Sequence, residues 1–236
     1  MARKPRDCRA VVTGLRALNP EILEAELALQ DPPCLAFDAG QWVSVPLGGK
    51  TVRAYSIASP PGVDSHLTLC ADVAPGGPGS RWFRALTPGT EVRFSGPLGG
   101  FVLARDDQRR PLFVAEEIGV VPVRAILADL RAQGFERPAG LVFWGRDPSW
   151  LPYDAEFRAL AQETPRFSYH PVVEQAAPEW PGDRGALDVA VDRVAASLEG
   201  LVAYVAGGAA TINRVREVLM TRGLDRKSVK WEKFYG

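Results

Sequence analysis

The chain has 236 residues, 46% hydrophobic and 24% charged, a composition that excludes a mostly disordered polypeptide. Its 28 Lys and Arg balance 28 Asp and Glu, and a zero formal charge argues against a surface built for nucleic acid or anionic lipid. Cys8, Cys34 and Cys70 form no C-x-x-C pair and are too few to ligate an iron–sulfur cluster, and His66 and His170 are too few for a His-rich metal site.

The first predicted element covers 21–29, where Leu23, Ala25, Leu27 and Leu29 alternate with Glu24 and Glu26 in the period of a half-buried strand. Short β-rich runs follow at 41–47, 51–58, 66–73 and 90–94, separated by Pro/Gly turns such as Pro60-Pro61-Gly62 and Pro75-Gly76-Gly77-Pro78-Gly79. This spacing predicts a closed or nearly closed antiparallel β-barrel, interrupted by one short helix at 81–86. A charged connector, 105–110, is expected to be exposed. Beyond it strands at 111–115, 141–144, 167–173, 201–206 and 229–234 alternate with helical patterns. Val123, Ile126, Leu127 and Leu130 mark the first helix, 153–161 and 187–198 the next two, and Ile212, Val215, Val218 and Leu219 the last. Such alternation predicts an α/β domain with a parallel sheet and helices on both faces. The expected division is residues 1–108 for the barrel and 109–236 for the α/β domain. No run reaches the length of an apolar membrane span, and the odd cysteine count suits the reducing cytoplasm.

Two constellations invite a chemical reading. In Arg53-Ala54-Tyr55-Ser56, strand alternation turns Arg53 and Tyr55 to one face. An arginine fork there suits a diphosphate, Tyr55 offers a flat ring, and Ser56 a small hydrogen-bonding group. A surface Arg beside a core Tyr is the plain alternative. The turn Gly77-Pro78-Gly79-Ser80 exposes backbone N–H groups at a helix start, a place for phosphate oxygens, with Ser80 able to cap. Gly49-Lys50-Thr51 resembles the end of a phosphate-binding Walker loop, but Ser44 stands where its first Gly belongs and no helical pattern follows. A GxGxxG fingerprint is missing.

These elements continue in order through Gly96-Pro97-Leu98-Gly99-Gly100-Phe101, Gly145-Arg146 and Leu151-Pro152-Tyr153-Asp154-Ala155-Glu156-Phe157. Tyr204-Val205-Ala206-Gly207-Gly208 and Glu232-Lys233-Phe234-Tyr235 complete the set. Across nearly its whole length the chain resembles the ferredoxin–NADP reductase superfamily, in which an FAD-binding barrel precedes an NAD(P)-binding domain. The resemblance implies that Arg53, Ala54, Tyr55 and Ser56 bind FAD, with Arg53 at the diphosphate, Tyr55 against the flavin and Ser56 near flavin N5. Gly77, Gly79 and Ser80 would hold the diphosphate, and Tyr235 would cover the flavin ring. Glu232 would be the C-terminal carboxylate near the flavin, catalytic together with Ser56. NAD(P)H would meet Gly119, Pro122, Gly145, Arg146 and Gly207; Arg146 could meet a 2′-phosphate that Glu174 would oppose. The implied activity passes electrons between NAD(P)H and a separate iron–sulfur or haem protein through flavin N5.

The second domain departs from the family pattern. In Ala115-Glu116-Glu117-Ile118-Gly119-Val120-Val121-Pro122, two carboxylates stand where two glycines are usual, in the turn where the nucleotide diphosphate rests. Acids are favourable at a helix start, so Glu116 and Glu117 could simply cap the helix with one turned outward. A diphosphate would otherwise meet two negative charges. Ala206 replaces a usual Cys near the nicotinamide, and Gly208-Ala209 replaces paired prolines. These departures keep open two alternatives: an FAD electron-transfer subunit that has lost efficient NAD(P)H use, and a non-catalytic binding module on the same fold.

Overall fold

The computed structural model describes residues 4–62 and 65–235, the last without its side chain. These described residues fall into two compact units, one from within 1–103 together with 124–129, the other from within 104–123 and 130–236. Among the described residues no helix is long and apolar enough to cross a membrane.

In the first unit β1 (Arg6–Asn19), β2 (Ile22–Asp31), β3 (Trp42–Pro46), β4 (Val52–Ser56), β5 (His66–Asp72) and β6 (Glu91–Leu98) form one antiparallel sheet of order β4-β3-β6-β1-β2-β5. Its two edges meet through an antiparallel bridge between Ile57 and Leu69, which nearly closes the barrel. Closure leaves alternate residues inside. Leu27, Val43, Ile57, Leu67, Leu69, Phe83 and Phe94 pack there, each at most 2% exposed. The helix α1 (Pro78–Arg84) starts earlier than the predicted 81–86, because Pro78 at its first position already has a helical φ.

The longest strand, β1, is missing from the sequence prediction. Its inward residues are the small Cys8, Ala10 and Val12, interleaved with Asp7 and Arg9, so the apolar alternation is faint. Antiparallel pairing with β2 on one side and β6 on the other holds it in place.

The second unit holds β7 (Arg110–Glu116), α2 (Val120–Ala132), β8 (Ala139–Gly145), α3 (Asp154–Glu163), β9 (Phe167–Val173), the two-residue β10 (Asp183–Arg184), α4 (Leu187–Val194), β11 (Leu201–Gly208), α5 (Ala209–Thr221) and β12 (Val229–Tyr235). Its strands make a parallel sheet of order β10-β9-β8-β7-β11-β12. Leu112, Val114, Val142, Ala203 and Val205 face α4 and α5 through Val191, Ile212, Val215 and Leu219. On the opposite face Phe143 meets Phe157 of α3 edge to face at 6.0 Å. Sheet residues are therefore buried on both sides, which explains their continuous apolar runs. The connector at 105–110 is not wholly exposed, contrary to expectation. Asp107 and Arg109 are part-buried, and Arg109 Nη1 donates to Ser228 Oγ at 2.7 Å.

Candidate functional site

Residues of the first constellation meet at Gly79. The Tyr55 hydroxyl donates to the Gly79 carbonyl at 3.3 Å. A Cβ added at Gly79 would lie 3.1 Å from that hydroxyl and 3.2 Å from Arg53 Cγ, so the start of α1 rests directly on both side chains. The Tyr55 ring, 8% exposed, packs at 5.5 Å from both Trp82 and Phe83 and belongs to the barrel core. Burial pushes its phenol up to about 12, against a smaller opposite pull from Arg53, so it stays a neutral donor. Arg53 is exposed, with Nη1 donating to the Val52 carbonyl at 2.9 Å. Ala54 is exposed opposite Ser44, and Ser56 is buried opposite Trp42.

Ser80 does not cap α1. The N-cap is Gly77, and Ser80 sits buried in the first turn as its third residue, because the helix starts at Pro78. The N–H groups of that first turn have no intrahelical acceptor, which leaves them for an external one. An exposed guanidinium and a glycine-rich helix start, joined through Gly79, fit the diphosphate of FAD. Trp82, half-buried against Tyr55, escaped the sequence reading; an aromatic just after the Gly/Pro turn was its only signal.

The two carboxylates of the second unit behave differently from each other and from expectation. Neither turns outward, and neither caps α2. Glu117, 3% exposed, receives Arg146 Nε and Nη2 at 2.6 Å each, a bidentate pair. The Arg146 guanidinium also lies 3.8 Å from the centroid of the Trp150 ring. Its backbone φ of 46° puts Glu117 in the left-handed region, where a glycine would be unstrained. Glu116 reaches the other way. Its Oε2 accepts from the Gly208 N–H at 2.6 Å and its Oε1 from the Thr211 hydroxyl at 2.8 Å, at the start of α5. Thr211 also escaped the sequence reading, since nothing nearby in the chain announces a partner 95 residues away.

Gly119 permits the close approach of two elements: a Cβ there would stand 2.4 Å from the Ala206 carbonyl oxygen. A Cβ at Gly145 would similarly meet the Trp150 carbonyl at 2.9 Å, and one at Gly207 would meet Glu116 Oε2 at 2.7 Å. Pro122 lies in the first turn of α2. Ala206, fully buried, pairs with Ala115 on one side and with half-buried Glu232 on the other. The Tyr235 side chain lies outside the described residues. The Gly49-Lys50-Thr51 segment is the turn between β3 and β4, with no helix after it.

Comparison with known proteins decides what this geometry belongs to. Residues 10–103 match the oxidoreductase FAD-binding domain and residues 113–217 the oxidoreductase NAD-binding domain. Ferredoxin–NADP reductase B of Sorangium cellulosum is 32% identical over 98% of both chains. The chain belongs to the ferredoxin–NADP reductase-like superfamily. This reductase is an FAD-dependent NAD(P)H oxidoreductase. It is 33% identical to the reductase component of phenol 2-monooxygenase from a Pseudomonas strain, over 97% of this chain and 66% of that protein. An Amycolatopsis cytochrome P450 reductase shares the fold of the reductase with a TM-score of 0.90 and 26% identity, covering 100% of this chain and 72% of that one. A ferredoxin NADP+ reductase from Neisseria gonorrhoeae, solved with FAD and NADP bound, superposes with a TM-score of 0.80 at 18% identity over the whole of both chains.

Proposed function

We propose that this chain is the reductase component of an electron-transfer system, with Arg53, Ala54, Tyr55, Ser56 and Gly77–Ser80 as its FAD site. The convergence of Arg53, Tyr55 and the first turn of α1 on Gly79 carries the reading. Arg53 neutralises the FAD diphosphate, while backbone N–H groups of Gly79 and Ser80 hold its oxygens. Tyr55, kept neutral by burial, fixes the start of α1 against β4 and lies against the flavin. When bound, FAD supplies the step the protein cannot, taking an electron pair as hydride at N5 and releasing electrons singly. Ser56 offers a hydroxyl to that nitrogen, and Glu232 on β12 is the second catalytic residue of the proposal.

Gly119, Pro122, Gly145, Arg146 and Gly207 form the nucleotide half, where two glycines let backbone approach backbone too closely for a side chain. The single-electron acceptor we propose is an iron–sulfur or haem protein, a class that suits a flavin able to release its electrons one at a time. The likeness to the reductase component of phenol 2-monooxygenase supports a protein partner.

The test is direct. The purified protein is expected to be yellow, to release FAD rather than FMN on denaturation, and to bleach anaerobically with NADH or NADPH. The reduced protein should then pass electrons to an oxidised ferredoxin or to cytochrome c. A colourless protein that takes up no FAD at micromolar concentration ends this reading.

A further inference from the structure

Two strand ends meet at one point: Glu116 closes β7 and Gly208 closes β11. Gly208 has φ −72°, a value proline also adopts, so the backbone does not demand glycine there. What glycine supplies is an N–H, which proline lacks. That N–H donates to Glu116 Oε2 at 2.6 Å. Thr211 Oγ1 donates to Oε1 at 2.8 Å, and the missing side chain of Gly207 makes room, since a Cβ there would lie 2.7 Å from Oε2 and 2.8 Å from Glu116 Cβ. Glu116 and Gly208 thus work as a pair, and the carboxylate is seated by three residues of the β11–α5 junction.

The seat has a chemical character. It is the start of a helix of 13 residues, whose first N–H groups and dipole favour an anion. The Glu116 carboxylate takes for itself the hydrogen bonds that an incoming phosphate would use. Glu117 does not act in the same way, because Arg146 meets it with two charge-assisted bonds at 2.6 Å and answers its charge. The sequence presents two equivalent acids; the structure gives one of them, Glu116, no cationic partner among the described residues.

We propose that Glu116 is the residue that sets nucleotide affinity in this reductase. It is an internal anion seated at the start of α5, which keeps the diphosphate of NAD(P)H out of those hydrogen bonds and repels it, so that the nucleotide binds weakly. The inference rests on the reading of residues 116–122 and 206–208 as the place of the nucleotide diphosphate. Removing a unit charge about 4 Å from a phosphate, in surroundings of intermediate dielectric, changes affinity by about tenfold or more even after screening.

The experiment measures the dissociation constants of NAD+ and NADP+ by calorimetry on the FAD-loaded protein, for the wild type, Glu116→Gln and Glu116→Gly. Gln keeps an oxygen for the Gly208 N–H and an amide for the Thr211 hydroxyl, so it removes the charge while preserving the junction. Both variants are expected to bind about tenfold tighter, with the gain larger at low salt. Alongside, the wild-type flavin is treated anaerobically with 1-benzyl-1,4-dihydronicotinamide, a hydride donor that has no phosphate. Constants that stay unchanged, or immeasurably weak, in all three proteins while this donor reduces the wild-type flavin overturn the role of Glu116 and leave the reductase reading in place. A flavin that neither this donor nor NADH reduces overturns both.

Discussion

At the scale of single residues, Arg53 and Arg146 do opposite work. Arg53 is exposed and close to Gly79, so Arg53→Ala should leave the fold intact. Losing one charge-assisted contact of about 1.5 kcal/mol should weaken FAD binding by about tenfold, read by flavin titration of the apoprotein. Unchanged FAD affinity would place the diphosphate elsewhere. Arg146 is instead committed to Glu117, whose side chain is 4% exposed against 50% for its own. Arg146→Ala strands that carboxylate and should cost about 2–3 kcal/mol in urea unfolding, below the typical range for a fully buried pair because Arg146 is half in water. Glu117→Gly in the same background should recover most of the loss, since it removes both the stranded charge and the side chain held at φ 46°. No recovery would show that the pair is incidental. Sequence reading could name Glu117 and Arg146 as candidates but not join them, because 29 residues separate them in the chain.

At the scale of elements, the turn from β7 into α2 is shaped by a neighbour distant in sequence. A Cβ on Gly119 would lie 2.4 Å from the Ala206 carbonyl oxygen and 2.7 Å from its carbon, both rigid backbone atoms of β11. Gly119→Ala must push the turn and β11 apart, and should lower stability by about 1–3 kcal/mol in thermal or urea unfolding. A variant within about 0.5 kcal/mol of the wild type would show that the turn yields freely. Periodicity found the strands and helices of the second unit because sheet and helix faces are apolar on a regular repeat. It missed β1, whose inward residues Cys8 and Ala10 are small and whose stability comes from partners on both edges. It also misplaced the start of α1, where the fixed φ of Pro78 outweighs the capping preference of Ser80.

At the scale of the whole molecule, the segment expected to be an exposed connector bears part of the second unit's stability. Arg109 donates to both oxygens of Asp107, at 2.8 and 2.6 Å, and its remaining nitrogen reaches Ser228. That hydrogen bonding holds the Asp107 carboxyl down at about 2, below its ordinary 3.8. Since the folded value lies below the unfolded one, the contribution is complete above pH 3.8 and disappears as pH falls through about 2. Asp107→Asn should therefore lower stability at neutral pH and flatten the acid limb of the unfolding profile. An acid limb identical in the two proteins would show that other carboxylates set it. Composition, strand alternation and the ordered motifs were enough, by themselves, to establish a barrel followed by a parallel α/β domain and its superfamily, because those signals are local and repeat along the chain. Only the tertiary structure decided that Glu117 is neutralised by Arg146 while Glu116 is seated on α5, because a carboxylate takes its chemical role from the donors that surround it, and here folding brings them from distant parts of the chain.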